Sequence, residues 1–254
     1  LDYYLSCSSL SMQPFEQSVE DLADHFDGWE IVAEGRHNLQ LISKEFEDVA
    51  SSYDLKYSVH APFSDVNISS LNKSIRMASI NEIASCIRMG AELGIKRFVL
   101  HPGQHSVLSM QEKDRALMLS REGLKTLQHL ASSLDVELLV ENMPGNNDIG
   151  SKARELSRLL SGTGIRICFD VSHACLQHQL DQFLELRDMI GAVHLSDNDG
   201  SSDTHLPVGS GKIDYLDILN EIEKLELPVV IEAQSIEDAI KGKEYIESLK
   251  ESLQ

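Results

Sequence analysis

Two patterns alternate along the chain about eight times. Short apolar or β-branched runs occur at Tyr3–Ser8, Trp29–Ala33, Lys56–His60, Arg97–His101, Glu137–Glu141, Arg166–Asp170, Ala192–Ser196 and Val229–Glu232. Each has the length of a strand, and the longer stretches between them place apolar residues at helical spacing. In the segment 75–93, Ile80, Ile83 and Ile87 recur at i, i+3 and i+7, which predicts one buried stripe. Gly94 follows, where a helix C-terminus commonly needs a left-handed residue. Leu124, Leu127 and Ala131 share a face in 124–133, as do Ile218, Ile222 and Leu225 in 215–225.

Strands that alternate with helices pair in parallel through crossover helices. Eight such units in 254 residues predict an α/β chain closed as a single (β/α)8 TIM barrel, rather than an open doubly wound sheet. With no low-complexity linker and no break in composition, residues 1–254 read as one domain.

Polar residues mark the C-terminal tips of the apolar runs, where a purely structural strand does not demand them. They are His60, His101, Glu141, Asp170 with His173, His194 and Glu232, joined by Asp203 and His205 in the loop after the seventh run. In a barrel of this kind those tips ring the mouth where active sites are built. Five imidazoles and four carboxylates are the donor mix preferred by zinc, manganese or iron rather than calcium. Four buried carboxylates without compensation would each cost several kcal/mol, and divalent cations are the simplest remedy. A lone strand-end histidine is more often structural; recurrence over six consecutive runs is what separates this set. Of the other histidines, His25, His129 and His178 fall in helical segments and read as surface residues. His37 and His105 read as exposed loop residues beside the mouth.

Composition changes the picture at one point. The formal net charge is −19, with 22 basic against 41 acidic residues, which disfavours polyphosphate partners unless local charge reverses the trend. The four cysteines, Cys7, Cys86, Cys168 and Cys175, lack C-x-x-C spacing and are expected as buried free thiols. No apolar run approaches the roughly 18 residues of a bilayer span. Nothing at the start reads as a cleavable signal, so a cytoplasmic location is the expectation; oligomeric state is left open.

At its strand-end positions the chain resembles the xylose isomerase-like barrel superfamily, and within it the endonuclease IV branch. The motifs are HPG at 101–103, VEN at 140–142, FDVSHA at 169–174, HLSD at 194–197, DTHLPVGSG at 203–211 and IEA at 231–233. The resemblance implies up to three zinc ions. His60, His101 and Glu141 would hold the first; Glu141, Asp170, His194 and Glu232 the second; His173, Asp203 and His205 the third. Such a cluster would bind a phosphodiester of DNA at an abasic site and lower the pKa of a bridging water towards about 7. Glu141 and Glu232 would then be the catalytic carboxylates. The sugar isomerase and epimerase branch resembles the chain through only part of this constellation, Glu141, Asp170, His194 and Glu232, although the His60 and His101 motifs also appear in sugar-acting relatives. It implies one manganese, cobalt or magnesium ion, with the two glutamates moving a carbon-bound proton of a small sugar.

Ligand count favours the hydrolase and charge pulls the other way. Three zinc ions would add six positive charges, taking −19 to −13 while making the cup itself electropositive. Basic residues in the expected mouth loops are few, and of these Arg36 and Lys212 are the candidate substrate contacts. The endonuclease IV branch carries a Tyr-Leu pair soon after its first ligand histidine; here the segment reads HAPFSDVNI. Phe63 is the nearby aromatic, a candidate to stack against substrate or to pack beneath the loop.

Overall fold

The computed structural model describes residues 1–253, and among them eight parallel strands close into one barrel in chain order. The strands are β1 (Tyr3–Ser6), β2 (Gly28–Val32), β3 (Lys56–His60), β4 (Arg97–Leu100), β5 (Glu137–Glu141), β6 (Arg166–Asp170), β7 (Ile190–Leu195) and β8 (Val229–Glu232). The helices are α1 (Phe15–Leu22), α2 (Leu39–Val49), α3 (Lys73–Glu92), α4 (Lys113–Ser133), α5 (Ala153–Leu160), α6 (Val171–Leu176), α7 (Leu180–Leu184), α8 (Tyr215–Glu223) and α9 (Ile236–Leu253). Pairing of Ser6 with Glu232 closes the ring between β1 and β8. The (β/α)8 barrel is therefore as the alternation predicts.

Strand limits differ from the sequence pattern at two glycines. β2 begins at Gly28, where a Cβ would stand 2.7 Å from the Tyr4 ring. β7 begins at Ile190, and its Gly191 sits at a register shift against Ile167 and Cys168, where a Cβ would collide with Leu139. Glycine is a poor strand former by propensity, so pattern alone stops short of it. Close backbone approach is what requires it here.

Side chains alternate along each strand, and this alternation sets up the site. Phe98, Leu138, Val140, Ile167, Phe169 and Val193 join the large apolar layer beneath the helices. Val99, Leu139, Cys168 and Ala192 form a separate small cluster, the plug inside the barrel. Two residues further along three of these strands, on the same inward face, stand Glu141, Asp170 and His194. The apolar plug thus serves as the floor under the polar mouth.

The helices bury the expected stripes. Ile80, Ile83 and Ile87 of α3 and Leu124, Leu127 and Ala131 of α4 are buried. Gly94 ends α3 at φ +82, in the left-handed region that glycine enters without steric cost. Leu225 lies just past the end of α8, packed against the core. Among the described residues no helix is long and apolar enough to cross a membrane.

The cysteines are free thiols; Cys7, Cys86 and Cys168 are buried and Cys175 is half-buried. His129 is exposed on α4, whereas His25 and His178 stand in exposed turns after α1 and α6, so those two lie outside helices. His37 departs most from expectation. It is fully buried, in a 3-10 turn over Gly35–His37, with ring contacts to Phe15 and Trp29 at centroid distances of 5.7 and 5.2 Å. A loop that folds inward onto α1 reverses the exposure that its polarity suggests.

Candidate metal centre

The nine strand-end and loop residues meet in one cup at the C-terminal mouth of the barrel. Its volume is about 590 Å³, and Ser6, Ser8, Phe63, Met143 and Gln234 are among its other walls. His60, His101, Glu141, His173, Asp203, His205 and Glu232 line it; Asp170 and His194 are fully buried. The candidate ligand atoms fall into three groups, each with its atoms within 4.8 Å of one another: His60–His101–Glu141, Glu141–Asp170–His194–Glu232 and His173–Asp203–His205.

Hydrogen bonding fixes how these rings present their nitrogens. His60 Nδ1 lies 3.0 Å from the Ala61 carbonyl, and His173 Nδ1 lies 2.8 Å from the Asn142 carbonyl. A carbonyl only accepts, so each Nδ1 donates and each Nε2 is left as the free position. Those Nε2 atoms face carboxylate oxygens: His60 meets Glu141 Oε2 at 3.1 Å, and His173 meets Asp203 Oδ2 at 3.1 Å. His101 reaches the same Glu141 oxygen at 3.3 Å, and His205 reaches the same Asp203 oxygen at 3.0 Å. A lone pair cannot face a carboxylate without something positive between them. A second proton on each ring or a shared cation meets the need.

Electrostatics describe the protonated alternative. Burial disfavours charge on His60, but the bond and charge of Glu141 outweigh it and raise its pKa. Burial likewise opposes charge on His173 and His205; Asp170, Asp203 and Glu141 overcome it at His173, while Asp203 and Glu232 lift His205 to about 9. Against the burial that favours neutral acids, His101, His173 and His60 hold Glu141 well below the usual carboxylate range, and His194 holds Glu232 at about 2. Asp170 goes the other way. Burial pushes its pKa well up, with Glu232, Glu141 and Asp203 adding to the effect against His173.

The donor set fits divalent ions. Among the described residues, Asp170 Oδ2, Glu232 Oε2 and Asp203 Oδ1 are buried without a hydrogen-bond partner. Buried polar atoms are ordinarily satisfied, and these converge within the ligand groups.

Three supporting residues are not apparent from the sequence pattern. Glu30, fully buried on β2, places Oε1 3.1 Å from His194 Nε2, while Glu232 Oε1 lies 3.2 Å from His194 Nδ1. An acid inside the apolar run GWEIV is the signal that was available. Asn142 trades bonds of 2.8 Å with Asp170 in both directions, between side-chain amide and backbone, and its carbonyl holds His173. Glu34 Oε1 accepts from the backbone amides of Phe63 and Ser64 at 2.8 and 2.7 Å, setting the loop that carries Phe63.

Phe63 stacks on His101 at 5.3 Å and meets the edge of His60 at 5.1 Å, so it is a wall of the cup. Arg36 and Lys212 do not join it. Both are exposed outside the lining, and Lys212 extends over Gly200. No lysine or arginine lines the cup among the described residues.

The model of the xylose isomerase-like TIM barrel family matches residues 19–252. The chain belongs to that family. An uncharacterized protein of Methanocaldococcus jannaschii is 31% identical over 99% of this chain and 90% of its own length. A probable endonuclease 4 of Mycoplasmoides gallisepticum is 30% identical over 76% of this chain and 71% of its own. Among solved structures, a D-tagatose 3-epimerase-like protein superposes with a TM-score of 0.91 at 29% identity, covering 99% of this chain and 98% of that one. The same barrel thus matches one relative named for nucleic-acid cleavage and one named for sugar epimerisation.

Proposed function

We propose that this family member is a metal-dependent phosphodiester hydrolase of the endonuclease IV type, acting at abasic sites in DNA. The observation that carries the reading is the third ligand group, His173 with Asp203 and His205, gathered into the same cup as the other two. A one-ion isomerase needs Glu141, Asp170, His194 and Glu232, and has no evident use for Asp203 and His205.

His60, His101 and Glu141 would hold one ion, Glu141, Asp170, His194 and Glu232 a second, and His173, Asp203 and His205 a third. Bound ions of this kind polarise phosphoryl oxygens and activate water at neutral pH. The chain's own groups do the rest. Glu232, ionised and with Oε2 unpartnered, offers an acceptor that orients a water at the floor of the cup. Glu141 draws three imidazoles around one carboxylate and so fixes the spacing of the ligand groups. Phe63 presents a flat apolar wall against which the sugar at an abasic site would rest. The test is nicking of a duplex that carries an abasic-site analogue, at low salt with zinc-loaded protein. His205→Ala should abolish nicking, and intact substrate at high wild-type concentration overturns the reading.

A second reading, a sugar or sugar-phosphate isomerase or epimerase with one manganese, cobalt or magnesium ion, is favoured by two observations. The epimerase-like structure superposes over nearly the whole chain, and among the described residues the cup has no cationic side chain for an extended backbone. Glu141 and Glu232 would then remove and return the proton beside a ketose carbonyl. Solvent deuterium entering that carbon, and its loss in Glu232→Gln, would support it. Near three zinc ions per chain by elemental analysis favours the hydrolase, and one exchangeable manganese favours the isomerase.

A further inference from the structure

The ligand assignment does not use Asp197 of the HLSD motif or the glycines of GSG at 209–211. Asp197 stands two residues past β7 and is fully buried. Its carboxylate accepts four backbone N–H groups. Oδ1 takes those of Asn198 at 2.8 Å and Ile213 at 3.1 Å, and Oδ2 those of Gly209 at 3.0 Å and Gly211 at 2.9 Å. Its main chain also pairs in both directions with Leu206 at 2.8 Å, the residue that follows His205.

We propose that Asp197 is the positioning residue that builds the third ligand group, folding the loop 198–213 back over the mouth so that Asp203 and His205 meet His173. One oxygen holds the loop's two ends, at Asn198 and Ile213; the other holds its return limb, at Gly209 and Gly211. The Leu206 pairing pins the stretch between. His205 itself has φ +46, a left-handed conformation that a non-glycine residue keeps only when its surroundings impose it. Asn198 Nδ2 donates to Ser172 Oγ at 2.8 Å, which ties the same loop to the helix bearing His173. A carboxylate is specifically required, because four donors converge on two acceptor oxygens. An asparagine would turn its NH2 against two of them. Gly211 is required by the same approach, since a Cβ there would collide with Asp197 Oδ1.

The metal part of this assignment rests on the three-ion reading; the loop part does not. The variants are Asp197→Asn and Gly211→Ala, neither of which alters a ligand. In metal-free protein, amide hydrogen exchange at Leu206, Gly209, Gly211 and Ile213 should quicken by about a hundredfold while strand amides stay slow. In zinc-loaded protein, the count should fall from three to two, with affinity for the third ion reduced about 10–100-fold and the other two unchanged. A merely structural role would lower melting temperature and all metal affinities together. Wild-type exchange with full metal content overturns the proposal, as does loss of all ions in parallel. Should Asp197→Asn not fold, the same readings on Gly211→Ala decide it. Should the wild type hold only one ion, the hydrolase reading falls, and the exchange data still decide the clamp.

Discussion

His37 gives a prediction whose size follows from its surroundings. The ring is fully buried against Phe15 and Trp29, and burial lowers its pKa from 6.5 to about 4, against smaller opposite pulls from the Gln13 backbone and Glu45. A folded-state pKa below the unfolded one means that the unfolded chain binds more protons between those values. Stability is therefore complete above about pH 6.5 and is lost as pH falls towards 4. The full difference corresponds to about 3 kcal/mol, of which about 2 kcal/mol is lost between pH 7 and pH 5. His37→Leu keeps a similar volume and removes the titration. Urea unfolding of wild type and variant at the two pH values isolates the term, because every other group cancels in the double difference. The variant should lose about 2 kcal/mol less than wild type on acidification, and at pH 7 it should be no less stable. Equal losses in the two proteins would show that His37 does not titrate in the fold as described. The functional consequence lies next door: Glu34, three residues earlier, holds the amides of Phe63 and Ser64, so loosening this turn should also loosen one wall of the cup.

Glu30→Gln should weaken divalent-metal binding about 10–100-fold with little change in far-ultraviolet dichroism, because a carboxylate beside the distal nitrogen orients a ligating imidazole; competition with a chromophoric chelator reads this, and an unchanged affinity removes Glu30 from the site. Gly90→Ala should destabilise by about 1–3 kcal/mol, since its Cβ would stand 2.6 Å from the Phe98 ring; an unchanged melting temperature would mean that α3 shifts freely on β4. Chelation of the loaded protein should lower the melting temperature, because ions that bind only the folded state stabilise it by about 4 kcal/mol at a thousandfold excess over Kd; a melting temperature indifferent to chelator would argue against bound metal.

The fold class was legible because it depends on periodicity. Strand-length runs alternating with 3.6-residue stripes admit few architectures, and the stripes of α3 and α4 are buried where their spacing puts them. The candidate ligand residues were legible for a related reason. A barrel brings every strand tip to one ring, so a carboxylate or imidazole at a tip is already placed by its position in the run. Glu30 was missed because it lies one inward step deeper than a tip, where the chain shows only an acid inside an apolar strand. His37 was misplaced, and the positions of Arg36 and Lys212 outside the cup lining were not legible, because loop paths are not periodic. Nothing local says that Gly35–His37 folds inward or that Lys212 lies over Gly200. Asp197 is the clearest case. The sequence supplies an acid and two glycines 12 and 14 residues later, and only the folded loop shows four N–H groups aimed at one carboxylate. Repeating hydrophobic spacing thus determined the barrel and the ring of donors. Convergence of irregular backbone, which depends on long-range contacts rather than on neighbouring residues, decided which of those donors meet.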